Sequence, residues 1–407
     1  MSEQEPQYQL SGDQFKADPF PTFAKMRNEE PIYRLELNGN PATLWVITNH
    51  EYAEAVLRDH KRFVKRWEST LSPEERAKRQ PEPLAEQMLN NHMLNTDGAD
   101  HTRLRILVNK AFSGTIISQQ RERVQTIARQ LLDQVEAAGK MDLIDDYAFP
   151  IPIVVICDLL GIPHQDRDKF RAWSNAFLTP TTSHEEWQEQ VQFLQGMLQY
   201  LSEIFAQRRA QPQNDLISAL VQAEESGDRL SETELYSMVV LLIIAGHETT
   251  VNLIGNGMLA LLRHPDQLAK LRENPDLIES AVEELLRYDG PVETATTRFA
   301  AEDVEIGGKV IHRGEAVNVV VTSANRDENR FDHAALLDIE RENNRHLAFG
   351  MGIHYCVGAP LARMEGQIAI NMLIQRLPNL RLAVPLEELQ WSNAVVIRGM
   401  RHMPVEW

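Results

Sequence analysis

The chain has 407 residues, 43% of them apolar and 25% charged, the make-up of an ordinary soluble protein long enough to bury a large core and a ligand. Its two cysteines, Cys157 and Cys356, exclude a disulfide-stapled scaffold and suit a reducing cytoplasm. A net charge of −18 argues against nucleic acid or an anionic membrane as the main partner, and the polar opening MSEQEPQYQL does not read as a secretory signal.

In chain order, Pro19 to Asn28 reads as a short helix. Ile32 to Leu37 alternates apolar and polar like a half-buried strand, and a turn at Asn38-Gly39-Asn40-Pro41 leads into an apolar strand, Leu44 to Ile47. Thr48-Asn49-His50-Glu51 has the pattern of a capping box opening a helix that carries Ala53, Val56 and Leu57. Residues 64–95 lack periodicity and are expected to form a long functional loop. A basic helix over Asp100 to Phe112 carries His101, Arg103, Arg105 and Lys110. Val124, Ile127, Ala128, Leu131, Leu132 and Val135 recur at helical spacing, with Gly139 as the stop. Pro152 to Leu160 is nearly all apolar, so a buried helix is expected there, with Cys157 in the core. A helix near Asp166 to Phe177, a break at Pro180-Thr181-Thr182 and a long helix capped at Ser183 follow.

The longest element starts at a second capping box, Ser231-Glu232-Thr233-Glu234, and runs to about His264, where Pro265 stops it. At 1.5 Å per residue such a helix spans roughly 50 Å. Met238 to Ala245 is apolar on every side, so it must cross the protein interior, and the apolar run ending at Gly246 is too short to span a membrane. Helices near 265–273 and 275–288 are followed by a hairpin, Val304 to Ile311, turning on Gly307-Gly308, and a strand over Ala316 to Thr322. Ala324 to His346 is polar and irregular; a helix follows from Pro360 to about Leu377, then strand-like pieces at Arg381–Val384 and Val395–Arg398. No repeat or linker divides the chain. The expectation is one unit over 1–407, mainly α in an α+β arrangement, with β-rich parts near 30–48 and 293–322.

Three stretches carry chemistry. The first is Phe349-Gly350-Met351-Gly352-Ile353-His354-Tyr355-Cys356-Val357-Gly358-Ala359-Pro360. A lone cysteine is more often a small buried apolar residue than a ligand. Here, however, three glycines make a taut loop that sets the sulfur against a helix N-terminus, where backbone N–H groups and the helix dipole favour a thiolate. Pro360 suits the first helical turn. The second is Ala245-Gly246-His247-Glu248-Thr249-Thr250, where an acid and two threonines interrupt an apolar central helix. Either the helix reaches solvent with Glu248 exposed, or an acid–alcohol pair lines a groove, holds water and relays protons. The third, Glu284-Leu285-Leu286-Arg287, taken alone, is an exposed pair of little energetic weight.

Together these three stretches resemble the cytochrome P-450 superfamily of haem-thiolate monooxygenases, and the resemblance covers essentially the whole chain; the polar N-terminus and the length are similar to bacterial members, especially those working on macrolides, fatty acids and other secondary metabolites. It implies the family's triangular-prism-like helical fold with small sheets and a long central helix over haem b. Cys356 would be the axial iron ligand, with Phe349 packed near the sulfur and the peptide N–H groups around Val357 and Gly358 donating to it. His101, Arg105, Arg298 and His354 would hold the propionates. Ala245 and Gly246 would border the haem, Gly246 leaving room for O2, and Glu248 and Thr249 would deliver protons to dioxygen. Glu284 and Arg287 would be structural, with Arg341 as third member, although Leu336-Leu337-Asp338 lacks the aromatic usual before that Asp. His247 departs from the pattern and is expected to pack away from the haem.

The resemblance places the substrate pocket between the 64–95 loop, the break around Phe177 to Ser183, the central helix at Val240, Ile244 and Ala245, the segment Val292 to Ala295, and Val395-Val396. Small and apolar residues there favour a lipophilic macrolide, steroid, terpenoid or fatty acid. Electrons would come from a ferredoxin or flavodoxin and its NAD(P)H reductase, docking on a patch of Arg103, Lys110 and Arg363. The protein is expected to be a cytoplasmic monomer. Two alternatives stay open: a peroxide-driven peroxygenase, against which Glu248-Thr249 argues because that branch carries Arg-Pro there, and a non-catalytic haem protein that binds gas.

Overall fold

The computed structural model describes residues 8–36, 43–178, 183–225 and 230–407. The expected turns at Asn38-Gly39-Asn40-Pro41 and Pro180-Thr181-Thr182 lie outside them. The central helix runs Glu232–Arg263 and begins as its sequence dictates: Glu234 N–H donates to Ser231 Oγ at 3.3 Å and Ser231 N–H to Glu234 Oε2 at 2.7 Å. Its length and apolarity would let it cross a membrane, but most of its apolar stretch is buried inside the protein. Helices Pro150–Leu160, Ile278–Asp289 and Ala359–Arg376 pack against it. Gly246 makes room for helix Pro150–Leu160, since a Cβ there would lie 2.8 Å from Ile156 Cγ1. A helix crossing is thus one reason for the glycine at this position.

A five-stranded sheet flanks the helices in the order Ile32–Glu36, Thr43–Ile47, Ala316–Val319, Arg298–Ala300, Phe63–Val64. Thr43–Ile47 pairs antiparallel with Ile32–Glu36 and parallel with Ala316–Val319, joining the two β-rich parts of the chain. At the other edge Phe63 opposes Ala300 and Val64 opposes Phe299, which brings the 64–95 segment beside Arg298. A smaller sheet joins Lys140–Asp142, Pro404–Glu406 and Arg381–Leu382 across more than 240 residues of sequence, and its first two strands are too short to register as alternation.

Several local expectations shift. The cap of helix His50–Arg58 is Asn49, whose side chain accepts from Tyr52 N–H at 3.3 Å; Thr48 is buried and its hydroxyl donates to the Pro31 carbonyl instead. The strand foreseen to Thr322 stops at Val319, and Val321–Ala324 forms a helical turn. The 64–95 segment is not one loop: it holds short helices Pro73–Ala77, opened by a Ser72–Glu75 capping box, and Leu84–Asn90, each too short to show a period. Val395–Arg398 makes only a bridge, Ile397 to Val292. The hairpin stands, with Gly307 and Gly308 at φ 53 and 72.

The Glu284–Arg287 pair is not exposed. Both side chains are fully buried, and Arg287 donates to Glu284 through Nε and Nη2 at 2.7 Å each. Its remaining donors reach the carbonyls of Asn325, Ala334 and Leu336. Arg341 Nε, Asn344 Nδ2 and the Asp338 amide complete the shell of Glu284. The network ties helix Ile278–Asp289 to the irregular stretch that precedes the cysteine loop.

Candidate haem-binding site

The cysteine loop is built as its glycines require. Gly350 and Gly352 take φ 68 and 71, and a Cβ on Gly352 would sit 2.9 Å from the Leu57 carbonyl oxygen. Cys356 N–H donates to the Phe349 carbonyl at 2.9 Å, closing the loop, and Pro360 occupies the first turn of helix Ala359–Arg376. Cys356 is exposed at the residue level, although the surrounding chain crowds its sulfur. Burial pushes the thiol up, while the N–H groups of Gly358 and Ala359, with Arg105 and Arg363, favour the thiolate. The amide facing the sulfur beside that of Gly358 therefore belongs to Ala359, not Val357. Phe349 carries the Arg363 guanidinium 4.4 Å from its ring centroid.

Next to the sulfur is an unbalanced cluster of cations. Arg105 on helix Gly98–Ala111 acts electrostatically on both Cys356 and His101. His101 is buried, its ring centroid 4.5 Å from that of His354, and neither Nε2 has a hydrogen-bond partner among the described residues. Burial holds His101 down to about 4, lowers His354 and brings Arg298 down to about 10. Lys65 adds another cation, buried and lowered well below its usual range, with Nζ donating to Thr296 Oγ1 and the carbonyls of Thr296 and Thr297. The carboxylate in reach is Asp97, 3.9 Å from His354 Nε2. Burial would raise the Asp97 carboxyl; His354 and the amides of Lys65 and Arg66 outweigh that and hold it below its usual value. Among the described residues one guanidinium group, Arg298, an ammonium and two imidazoles share this one acid, while Arg105 is set against Cys356. Such a set fits a ligand that brings carboxylates: His101 Nε2 has no partner among the described residues, and His354 Nε2 has only Asp97, beyond hydrogen-bond length at 3.9 Å. Lys65 and Asp97 were not legible as site residues, because Lys65 meets its partners 231 and 232 positions away.

On the central helix the accessible stripe is Leu241, Ala245, Gly246, Glu248 and Thr249, one helical face. Val240 was expected on this face but is 1% exposed in the core; at about 100° per residue, Leu241 is the position in line with Ala245. Ile244 is buried as well. Thr249 Oγ1 donates to the Ala245 carbonyl at 3.1 Å, a bond that loosens the turn. Glu248 is partly accessible, and Asn252 one turn on donates to its carbonyl at 2.8 Å and to Oε1 at 3.4 Å. Asn252 is a contributor that i,i+4 spacing could have flagged. His247 points into the core, fully buried, edge-on to Phe149. Across the site, Val396 accepts from the amides of Glu293 and Thr294, joining the two late segments near Val292 and Ala295; Val395 is exposed. The break around Phe177 to Ser183 falls largely outside the described residues.

The proposed redox patch is altered. Arg103 is bound by Glu234 and Asp100, and Arg363 by both oxygens of Glu283, so of the three cations Lys110 alone has no partner among the described residues.

A thiolate loop capped by a helix, a carboxylate-seeking cation cluster beside it and an acid–alcohol break in a long buried helix define a haem-thiolate oxygenase. The comparisons agree. The model of the cytochrome P450 family matches residues 155–379. Cytochrome P450 107B1 of Saccharopolyspora erythraea is 46% identical over 97% of this chain and 96% of its own. The polyketide biosynthesis cytochrome P450 PksS of Bacillus subtilis is 43% identical over 97% of each, and its solved structure superposes with a TM-score of 0.89. A myxobacterial cytochrome P450, CYP267B1, solved in complex with myristic acid, gives a TM-score of 0.91 at 40% identity over 98% of each chain. This chain belongs to the cytochrome P450 family: it is a monooxygenase and its cofactor is haem b.

Proposed function

We propose that this monooxygenase hydroxylates a C–H bond, or epoxidises a double bond, in a lipophilic small molecule of the macrolide, steroid, terpenoid or fatty-acid kind. The observation that carries the reading is the pairing of Cys356 with the cation-rich, carboxylate-poor cluster of Lys65, His101, Arg105, Arg298 and His354. Cys356 would hold the haem iron through its thiolate, with the amides of Gly358 and Ala359 tempering its charge. His101, Arg105, Arg298 and His354 would hold the propionates through charge-assisted bonds. Bound haem supplies the oxidising chemistry, activating O2 at the expense of two electrons and two protons. Glu248 passes a proton from its carboxyl towards Thr249 Oγ1, whose hydrogen is given to the Ala245 carbonyl and whose lone pairs are left to accept from water.

The apolar lining at Leu241, Ala245, Val292 and Ala295 suits a lipophilic guest, in keeping with the polyketide role in the name of PksS and the myristic acid held by CYP267B1. Glu248-Thr249 favours the route through O2 and a separate ferredoxin or flavodoxin with its NAD(P)H reductase over a peroxide-driven one. A reducing cytoplasm suits a thiolate that must stay free. The reduced protein with carbon monoxide should absorb at the thiolate position, and Cys356→Ala should lose that band; a retained band would remove Cys356 as the ligand. A panel of macrolides, steroids, terpenoids and fatty acids should contain at least one compound that shifts the Soret band of the ferric protein, and a blank panel would sink the substrate class.

A further inference from the structure

His247 is the residue of the central motif that the reading above leaves without a task. Its side chain is fully buried, Nδ1 lies 2.7 Å from the Ile243 carbonyl oxygen, and Nε2 has no hydrogen-bond partner among the described residues. A nitrogen that close to a carbonyl must carry the hydrogen, so the proton on Nδ1 is fixed and Nε2 is the atom that titrates. A bare buried nitrogen is a cost that a phenyl or leucine side chain would avoid, so its presence calls for a reason.

The carboxylate of Glu248 supplies one. Its Oε2 lies 3.7 Å from His247 Nε2, while its Oε1 faces Asn252 Nδ2 at 3.4 Å. A swing of roughly 0.8 Å by the partly exposed Glu248 side chain closes the first gap to hydrogen-bond length. The other groups around the imidazole do not compete for that atom. Phe149 presents its ring edge-on at 5.8 Å between centroids. Arg171, on helix Arg167–Leu178, stacks on the same phenyl ring at 4.6 Å and is ion-paired to Asp145, so its charge is compensated. Burial lowers the imidazole's proton affinity and Arg171 lowers it further, whereas Glu248 raises it. An imidazole lone pair and a carboxylate oxygen facing each other at 3.7 Å are both acceptors, an arrangement that a proton between them relieves.

We propose that His247 is a positioning residue for Glu248: Nε2 takes up and returns the proton that the carboxyl carries towards Thr249, so that imidazole and carboxyl hold one proton as a pair. This rests on Glu248 being the proton carrier. In one state the proton sits on Nε2 and is donated to Oε2, with the carboxylate turned inward. In the other it sits on the carboxyl, which is then free to turn outward towards Thr249 while the imidazole is neutral. No other atom changes its bonding, and the charge of the pair is the same in both states.

The test uses haem-loaded protein, labelled with 15N-histidine, in the diamagnetic ferrous carbon monoxide form. The His247 resonances are assigned by their absence in His247→Gln, whose carbon monoxide band at the thiolate position confirms an intact haem site. Nδ1 should remain protonated throughout the pH range while Nε2 titrates. In Glu248→Gln the Nε2 midpoint should fall by about one pH unit or more, because the opposing charge is gone. Identical Nε2 curves in wild type and Glu248→Gln overturn the pairing alone. A second measurement separates this from failure of the reading beneath it: with a ferredoxin and its reductase, Glu248→Gln should raise the peroxide released per NADPH oxidised, and so should His247→Leu. An unchanged ratio in Glu248→Gln removes Glu248 as proton carrier and the proposal with it. A raised ratio in Glu248→Gln beside a wild-type ratio in His247→Leu overturns the role of His247.

Discussion

Two buried clusters of charge lie in this protein and differ in one respect. Around Glu284 the account closes: two guanidinium groups, an asparagine amide and a backbone N–H meet one carboxylate, and the surplus donors of Arg287 end on the carbonyls of Asn325, Ala334 and Leu336. Around Arg298 it does not close. Cations and imidazoles outnumber the acid, and His101 and His354 each leave a buried nitrogen unpartnered. A network satisfied by the chain itself holds the fold, and one that the chain leaves unsatisfied holds something else. The contrast can be broken from either side.

The largest effect is expected on the balanced side. Glu284→Ala strands the buried Arg287, so the loss should be about 3–5 kcal/mol, read as a lower denaturation midpoint with unchanged slope. A loss under about 1 kcal/mol, the size of an exposed pair, would show that the network does not hold the fold. On the unbalanced side the sign should differ with the state. Arg298→Leu removes an uncompensated buried charge, and Lys65 Nζ still serves the Thr296 carbonyl, so the haem-free protein should be as stable as wild type or more so. Haem retention should fall instead. One lost charge-assisted bond is worth about 1.5–3 kcal/mol, roughly a ten- to hundredfold faster transfer of haem to an acceptor globin. Equal haem transfer rates with an unstable haem-free protein would place Arg298 with Glu284 as a structural residue.

The same contrast explains what the sequence discloses. Cys356, Glu248 and Thr249 stand out because each breaks a local pattern, a thiol among glycines or an acid in an apolar helix. The long helix, its Ser231 cap and the Gly307-Gly308 hairpin are legible for the same reason, as local periodicity and turn chemistry decide them. Glu284 and Arg287 look like an exposed pair when only the helix is considered, since what buries them arrives from residues 325–344. Lys65 and Asp97 are invisible for the matching reason: strand pairing of Val64 with Phe299 brings them to Arg298. Val240 was misplaced by a single residue, which on a helix is about 100° and turns a side chain from the site into the core. Arg103 and Arg363 look available for docking in the sequence because Glu234 and Glu283, which bind them, come from other helices. Local chemistry is written in the chain, whereas charge balance is a property of the packed molecule.

The smallest effect follows from the imidazoles. Burial, then His354 and Arg105, hold His101 down to about 4 in the folded haem-free protein, against its ordinary 6.5. Between those values the unfolded chain takes up a proton that the folded one refuses. Stability is therefore fully present above about 6.5 and falls as the pH drops through the window, the loss being complete below about 4. His354 and His92 are lowered by burial as well, so the slope belongs to several groups, and His101→Phe should remove only its own share. Bound haem should flatten the slope further, because propionates beside His101 favour its charged form and pull its folded value back towards 6.5. The measurement is the thermal midpoint of wild type and His101→Phe across that window, each with and without haem. The haem-free curves should diverge as the solution is acidified and the haem-loaded curves should diverge less. Parallel haem-free curves would mean that His101 is not held neutral by its surroundings. Equal divergence with and without haem would mean that the ligand's carboxylates do not meet this imidazole.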